Sequence, residues 1–476
     1  MTELDPNRWR ALTIVCAAFF MTVLDVSIVN VALPSIGKSL HFSEDNLQWV
    51  ITAYAITFGG FLLLGGRAAD LLGRRRVFYV GVAIFTLASF FCGLAWSEGV
   101  LIASRAVQGF GAAIITPAAL SIVTTTFEEG PERNKALGIW GAIGGGGAAV
   151  GVLAGGILTK YLGWEWIFFV NVPVGIAALL LAPRYVRESR SERAHQHDIA
   201  GAITITAGLA LLVYAVSEAP NHGWSSAWTL LRLAIAAALL LAFLFIESRA
   251  KDPLMPFSIF RVRTVAGANI AGLLLGAVVF ANFFILTLYV QQVLGWSALK
   301  TGLTFIATAG TAVLWAGLAQ ALVTKLGAKP VMIAGFIATI AGMLWYTQIP
   351  VDGSFWSDLL VGYLLVGFAL PFTFIPVSIA ALAGVQHQEA GLASGLINTA
   401  QQVGGAIGVA VTSSVAISHA KTLLKDGNSS AQAFTAGYQW AFWVTVGISV
   451  AGLLATIVFI RREELATVGE EAPSLA

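Results

Sequence analysis

Charge is what this sequence has least of. Only 11% of its 476 residues are Asp, Glu, Lys or Arg, against about 25% in an average soluble domain. A soluble fold of this length could not cover its surface with so few. Lys and Arg number 27 against 25 Asp and Glu, which leaves no broad basic face for nucleic acid. Cysteine is scarce as well. Cys16 and Cys92 both lie in apolar runs, where they read as small core residues. They imply neither a disulfide framework nor a thiolate metal site. No clustered His, Cys and Asp suggests a metal, and the histidines sit mostly at segment ends or loops, His195, His197 and His222 among them. No Walker-type phosphate loop points to ATP. No nucleophile–base constellation points to an enzyme, and no sizeable soluble segment points to a sensor. Disorder is excluded by a hydrophobic fraction of 57%.

What is present is a series of long apolar runs. A helix needs about 20 mostly apolar residues to cross a bilayer's hydrocarbon core. Such runs fall at 11–33, 47–66, 77–97, 100–125, 137–159 and 166–183, then at 199–217 and 227–246. The last set falls at 264–290, 302–323, 331–351, 359–383, 391–418 and 435–460. The reading is an all-α integral membrane protein with 14 transmembrane helices in a 6 + 2 + 6 order. The first run follows Arg8 and Arg10 but is too long for a typical signal core, so it reads as a retained helix. With the N-terminus in the cytoplasm, cytoplasmic segments hold 20 Lys and Arg, outer segments hold 5, and two lie in spans. Both termini are therefore expected to be cytoplasmic.

The chain also repeats itself. Leu72-Gly73-Arg74-Arg75-Arg76-Val77, with Gly81 beyond, returns 254 residues later as Leu326-Gly327-Ala328-Lys329-Pro330-Val331, with Gly335 beyond. Gly109-Phe110 and Pro117 return as Gly367-Phe368 and Pro376, at 258 and 259. Ala136, Gly138, Gly147, Ala149 and Gly151 return as Ala393, Gly395, Gly404, Ala406 and Gly408, each at 257. The implied organisation is a six-helix bundle at 1–183, an inserted two-helix hairpin with basic flanks at 184–263, a second six-helix bundle at 264–460 and a tail at 461–476. Two parallel six-helix halves suit a transporter, with a site between them near the midplane and rocking to alternate access.

Three charged residues fall inside spans: Asp25, Arg105 and Arg232. Arg232, near a span end, can snorkel to the headgroups. An aspartate mid-span costs about 2.5–3.5 kcal/mol on insertion scales, so it persists only if paired, wetted or protonated. Arginine cannot shed its proton and needs an acceptor. Asp25 and Arg105 are thus expected to act together, directly or through water, binding and releasing a proton as their surroundings alternate. The position that repeats Arg105 is near Tyr363, which carries no charge, so the machinery is expected in the N-terminal half alone.

The motifs around these residues resemble the fourteen-helix drug:proton antiporter family of the major facilitator superfamily over roughly 8–460. Leu24-Asp25-Val26-Ser27-Ile28-Val29-Asn30-Val31-Ala32-Leu33-Pro34 is similar to its first-helix signature, and Arg105-Ala106-Val107-Gln108-Gly109 to its fourth-helix arginine motif. Gly66-Arg67-Ala68-Ala69-Asp70-Leu71-Leu72-Gly73-Arg74-Arg75-Arg76 resembles the superfamily's cytoplasmic gate motif, with Leu71 where an arginine is usual. The resemblance implies a latch built from Gly66, Asp70, Gly73, Arg74 and Arg75. The glycine-rich fifth helix, with Gly141, Gly144, Gly145, Gly146, Gly147, Gly151, Gly155 and Gly156, resembles the antiporter motif and implies a hinge at Gly147, Gly151, Gly155 and Gly156. That motif's proline is replaced by Val152, which leaves the direction of transport open. Substrate-pocket candidates, by chemistry and by lying within spans, are Asn30, Gln108, Trp140, Asn282, Phe283, Trp315, Asn398 and Gln401. Glu218 reads as an interfacial acid.

The functional expectation is a proton-coupled secondary transporter that exports small amphipathic or hydrophobic compounds from a bacterial-type cell, across the plasma membrane. Its partners would be a small-molecule substrate, protons and the lipid bilayer. It would act as a monomer, with no nucleic acid, metal or cofactor. An importer of a nutrient or metabolite, or a carrier of lipids or lipid-linked metabolites, are the alternatives on the same fold.

Overall fold

In hydrocarbon a peptide group has no water to bond, so apolar runs of this length must satisfy themselves as helices. The computed structural model describes residues 6–127, 131–190, 199–250, 253, 257–383 and 390–461; within these, the side chain of Asp70, among others, lies outside the description. Every apolar run coincides with a helix. In the first part of the chain these are α1 (Arg8–Ser39), α2 (Trp49–Leu72), α3 (Arg74–Gly93), α4 (Glu98–Thr126), α5 (Pro131–Tyr161) and α6 (Asn171–Tyr185). Then come α7 (Ile199–His222) and α8 (Ala227–Arg249). The remainder are α9 (Arg263–Leu288), α10 (Ala298–Leu326), α11 (Ala328–Tyr346), α12 (Leu360–Ala381), α13 (Ala390–Lys425) and α14 (Ser430–Phe459). Among the described residues, 11 helices are long and apolar enough to cross a membrane. In α2, α5 and α7 the qualifying apolar stretches are shorter, Trp49–Leu62, Val150–Tyr161 and Ile203–Val216.

The helix starts are locally encoded. Ser97 caps α4 by accepting from the Val100 amide, and Ser429 with Gln432 forms a reciprocal capping box at α14. The α2–α3 and α10–α11 turns each rest on one glycine with positive φ, Gly73 at 106° and Gly327 at 84°. A side chain would strain both turns. These are the two glycines that the sequence repeat aligns.

The chain divides into two compact units. Unit 1 holds Met1–Ala210, Ala236–Leu254 and Ser297–Leu303; unit 2 holds Leu211–Ile235, Met255–Trp296 and Thr304–Ala476. The α7–α8 hairpin therefore contributes residues to both. Unit 1 packs α2 and α3 against α4, and α1 against α5, around Val15, Phe78, Val82, Phe85, Ala112 and Ile115. Unit 2 packs α9 against α13 and α11 against α12 around Leu275, Met332, Phe336, Val377 and Ile397. Apolar contact alone gains little in lipid, so close approach through small residues does much of this work. Gly109 of α4 sits on the Tyr54 backbone of α2, and Gly367 of α12 sits on the Thr308 backbone of α10. Gly81 sits on Ile114 and Ile115, and Gly335 on Phe372 and Thr373. Each unit thus uses the same helix pairings at the repeat positions.

At the start of α5, outside the expected span, Arg8 ties α1 to Glu132 at 2.8 Å. That hydrogen bond holds the Glu132 carboxyl below its ordinary range, helped by the charges of Arg8 and Lys135. Large apolar side chains such as Leu180 (73% exposed) and Leu314 (75%) face outward, as lipid contact requires.

Candidate functional site

The single acid of α1's apolar stretch and the single arginine of α4's meet inside unit 1. Arg105 Nη1 donates to Asp25 Oδ2 at 2.5 Å, and both side chains are sealed from solvent, at 2% and 0% exposed. Two charges leave water here at a cost of several kcal/mol per ion, which good geometry and further hydrogen bonds must offset. Arg105 supplies some of that geometry: its Nε donates to the Val50 carbonyl of α2 at 2.9 Å, and its guanidinium lies 4.4 Å from the Tyr54 ring centroid. The aromatic face adds a cation–π contact in a dry setting.

The rest comes from neutral amides. Gln108, one helical turn beyond Arg105, accepts from Arg105 Nη1 at 2.6 Å and donates through Nε2 to Asp25 Oδ1 at 2.8 Å. Asn171, the first residue of α6, donates to the same Oδ1 at 3.1 Å. Both amides also donate to the Ser89 hydroxyl of α3, at 2.9 and 3.0 Å, and that hydroxyl donates to the Phe168 carbonyl at 3.1 Å. The turn Trp166–Phe169 runs into α6 through Val170, which keeps helical dihedrals and donates to the Trp166 carbonyl at 3.0 Å, and this junction carries both the Phe168 carbonyl and Asn171. Asp25 thus accepts from one cationic and two neutral donors, with contributions from five helices of one unit.

Of the residues expected to form a gate, Gly73, Arg74 and Arg75 meet Glu188 and Ser189 in a second cluster of the same unit. Gly73 turns the chain so that α3 begins against the segment after α6. Glu188 Oε1 accepts from the Arg75 amide at 3.1 Å, and Oε2 lies 3.8 Å from both Arg75 Nε and Arg76 Nε. The Arg74 amide donates to the Ser189 carbonyl at 2.9 Å. A Cβ on Gly73 would sit 2.6 Å from Glu188 Oε1. Gly66 packs against Pro117 of α4. The Asp70 side chain lies outside the described residues.

On α5, Gly147, Gly151 and Gly155 all face α1: a Cβ would meet Val23 Cγ1 at 2.9 Å, the Leu24 carbonyl at 2.9 Å and the Ile28 carbonyl at 2.7 Å. Gly156 faces instead the Ala298 carbonyl at 3.0 Å, and the Val152 carbonyl is the surface on which Gly302 packs. Gly141, Gly144, Gly145 and Gly146 fall among positions whose surroundings are not described.

The expected pocket residues scatter. Gln108 belongs to the carboxylate cluster. Asn30 donates back to the Val26 carbonyl at 2.9 Å. Trp140 stacks on Phe19, centroids 3.8 Å apart. In unit 2, Phe283 packs on Phe305 and Trp315 on Phe368. Asn398 is exposed and Gln401 half-buried. Asn282 is buried, its Oδ1 has no hydrogen-bond partner, and it lines a small cavity with Val278, Met343 and Val366. Arg232 lies 4.8 Å from the Tyr214 ring, and Glu218 pairs with His222 at 3.4 Å. Sequence reasoning did not find Asn171, Ser89, Tyr54 or Glu188. Among the described residues, no three His, Cys, Asp or Glu side chains group to hold a metal.

Helices of membrane-spanning length in two repeat-related units, one holding a buried charge pair, define a polytopic membrane carrier. The family comparison is more specific: residues 15–409 match the Major Facilitator Superfamily, and the chain belongs to that superfamily of membrane transporters. It is 39% identical over 457 residues to the puromycin resistance protein pur8 of Streptomyces alboniger, covering 95% of this chain and 91% of that one. It is 41% identical over 415 residues to the cephamycin export protein CmcT of Amycolatopsis lactamdurans, covering 86% and 85%. Its fold is similar to that of a bacterial homologue of the human lysosomal transporter Spinster, with a TM-score of 0.66 at 16% identity, covering 96% of this chain and 98% of the other.

Proposed function

We propose that this chain is a proton-coupled exporter of small amphipathic or hydrophobic compounds, antibiotics among them, of the fourteen-helix drug:proton antiporter type. It works by alternating access in a bacterial cell membrane, as a monomer with both termini cytoplasmic. The proton gradient drives it, without a cofactor. The names of pur8 and CmcT, which speak of resistance and export, support the substrate class. The observation that carries the coupling is the solvent-sealed Asp25–Arg105 pair. While Arg105, Gln108 and Asn171 donate to it, Asp25 is stable as an anion. A proton on Asp25 cancels the charge that holds Arg105, so the cluster has a reason to rearrange when protonated. Such a differential interaction is what a two-state carrier needs.

Inverted membrane vesicles energised with a proton gradient test this. Adding substrate should release stored protons, and Asp25→Asn should abolish that signal. Coupling that persists in the variant would overturn the reading. Val152 in place of the motif's proline leaves open one alternative, an importer on the same fold; counterflow with antibiotics against sugars or organic anions separates the two.

A further inference from the structure

The hydrogens around Asp25 can be counted. The Ser89 hydroxyl has one proton, given to the Phe168 carbonyl, and two lone pairs, filled by Gln108 and Asn171. Each amide nitrogen has two hydrogens, one for Ser89 and one for Asp25 Oδ1. Gln108 cannot turn its amide over without losing the Arg105 bond at its Oε1. Asn171 has no such tie among the described residues. Every group that touches the carboxylate is therefore a donor, and none can accept from it. A protonated Asp25 gains an O–H that must find an acceptor, because a buried donor left unpaired is costly.

We propose that Asn171 is a positioning residue that gates proton uptake at Asp25: its amide holds the carboxylate in acceptor-only form, and must turn over, or leave with α6, before the proton can stay. The step balances simply. Hydronium from one aqueous side gives its proton to Asp25 Oδ1; the Asn171 donor bond to that oxygen is lost. The turned amide offers its carbonyl oxygen to the new O–H. Ser89 then loses one accepted bond and keeps the one from Gln108 and its own donor bond to Phe168. The charged and titratable groups facing Asp25 are Arg105 of α4, Tyr54 of α2 and Cys92 of α3; ordinary phenol and thiol groups titrate above about 8. On α5 the titratable residues Glu132, Arg133, Lys135, Lys160 and Tyr161 lie only in its end turns, and on α6 Arg184 and Tyr185 lie in its last turn.

This inference rests on Asp25 as the proton carrier, so the test includes Asp25→Asn. Substrate-driven proton release is measured against pH in vesicles carrying wild type, Asn171→Leu or Asn171→Gln. Leu keeps the size and removes the donor. Losing a hydrogen bond to the anion should move the pH midpoint upward by about one unit or more. Gln, which restores a donor, should return it toward wild type. A merely structural role would lower the rate without moving the midpoint. An unmoved midpoint in Asn171→Leu, with coupling lost in Asp25→Asn, overturns the gating role and leaves the carrier intact. Coupling retained in Asp25→Asn overturns both. If the Leu variant does not reach the membrane, Ser89→Ala decides, since it frees the Asn171 amide: an upward midpoint supports the proposal and an unchanged one overturns it.

Discussion

At the scale of single residues, what the sequence disclosed depended on how rare a group is in its setting. Asp25 and Arg105 stand out because each is a lone charge in an apolar run, and the structure brings them into contact. Asn171 touches the same carboxylate, and Ser89 holds the amides that do, but both are neutral, and every span holds at least one neutral polar residue. Their part follows only from convergence of α1, α3, α4 and α6, which no spacing in the sequence records. Gln108, one turn from Arg105, was legible as a polar residue but not as a carboxylate donor. The energetic consequence of the pair is testable. Removing one member of a buried ion pair typically costs about 3–5 kcal/mol, because the other is left uncompensated. Arg105→Met should therefore lower the thermal unfolding midpoint in detergent at mildly alkaline pH. Adding Asp25→Asn to the same chain should recover most of the loss. A double variant less stable than the single would mean that Arg105 acts chiefly through Val50 and Tyr54.

At the scale of elements, helices were legible because hydrocarbon leaves the backbone few choices. Ends were less so: α1 runs to Ser39 and α13 to Lys425, beyond the apolar runs, since a helix does not stop where hydropathy does. At the start of α6, Pro173 marks a local irregularity because it has no backbone N–H to donate, but nothing in Phe169-Val170-Asn171 tells that Asn171 reaches Asp25. Glu188 was not legible either: it sits in a segment that reads as basic yet closes on the start of α3. The α5 glycines make the sharpest test. Gly155 faces the Ile28 carbonyl, a backbone group that cannot step aside like a side chain. Gly155→Val should cost about 1–3 kcal/mol by overpacking, read as a lower unfolding midpoint. Gly310 on α10 has nothing within 4 Å of a Cβ. Gly310→Ala should be neutral or stabilising by up to about 1 kcal/mol, as helix propensity predicts. Equal effects at the two sites would mean that α1 and α5 are not packed as closely as described.

At the scale of the whole molecule, duplication and asymmetry coexist. The repeat was visible as glycines at constant offsets, and the units repeat its pairings, Gly109 on Tyr54 and Gly367 on Thr308. Yet the chemistry is not duplicated. Where unit 1 has Arg105 and Gln108, unit 2 has Tyr363 and Val366; where unit 1 has Ser89, unit 2 has Met343. Tyr363 is buried and its hydroxyl lies 3.0 Å from that of Thr304, a neutral bond in place of an ionic one. A group that stays neutral gives a proton gradient nothing to act on. Tyr363→Phe should therefore leave the pH midpoint of transport where wild type has it. The lost hydrogen bond, about 1 kcal/mol, should appear only in stability or maximal rate. Asp25→Asn measured beside it should flatten the same profile. A midpoint displaced by Tyr363→Phe would mean that the charge switch extends into unit 2, and that duplication preserved more of the engine than its residues suggest.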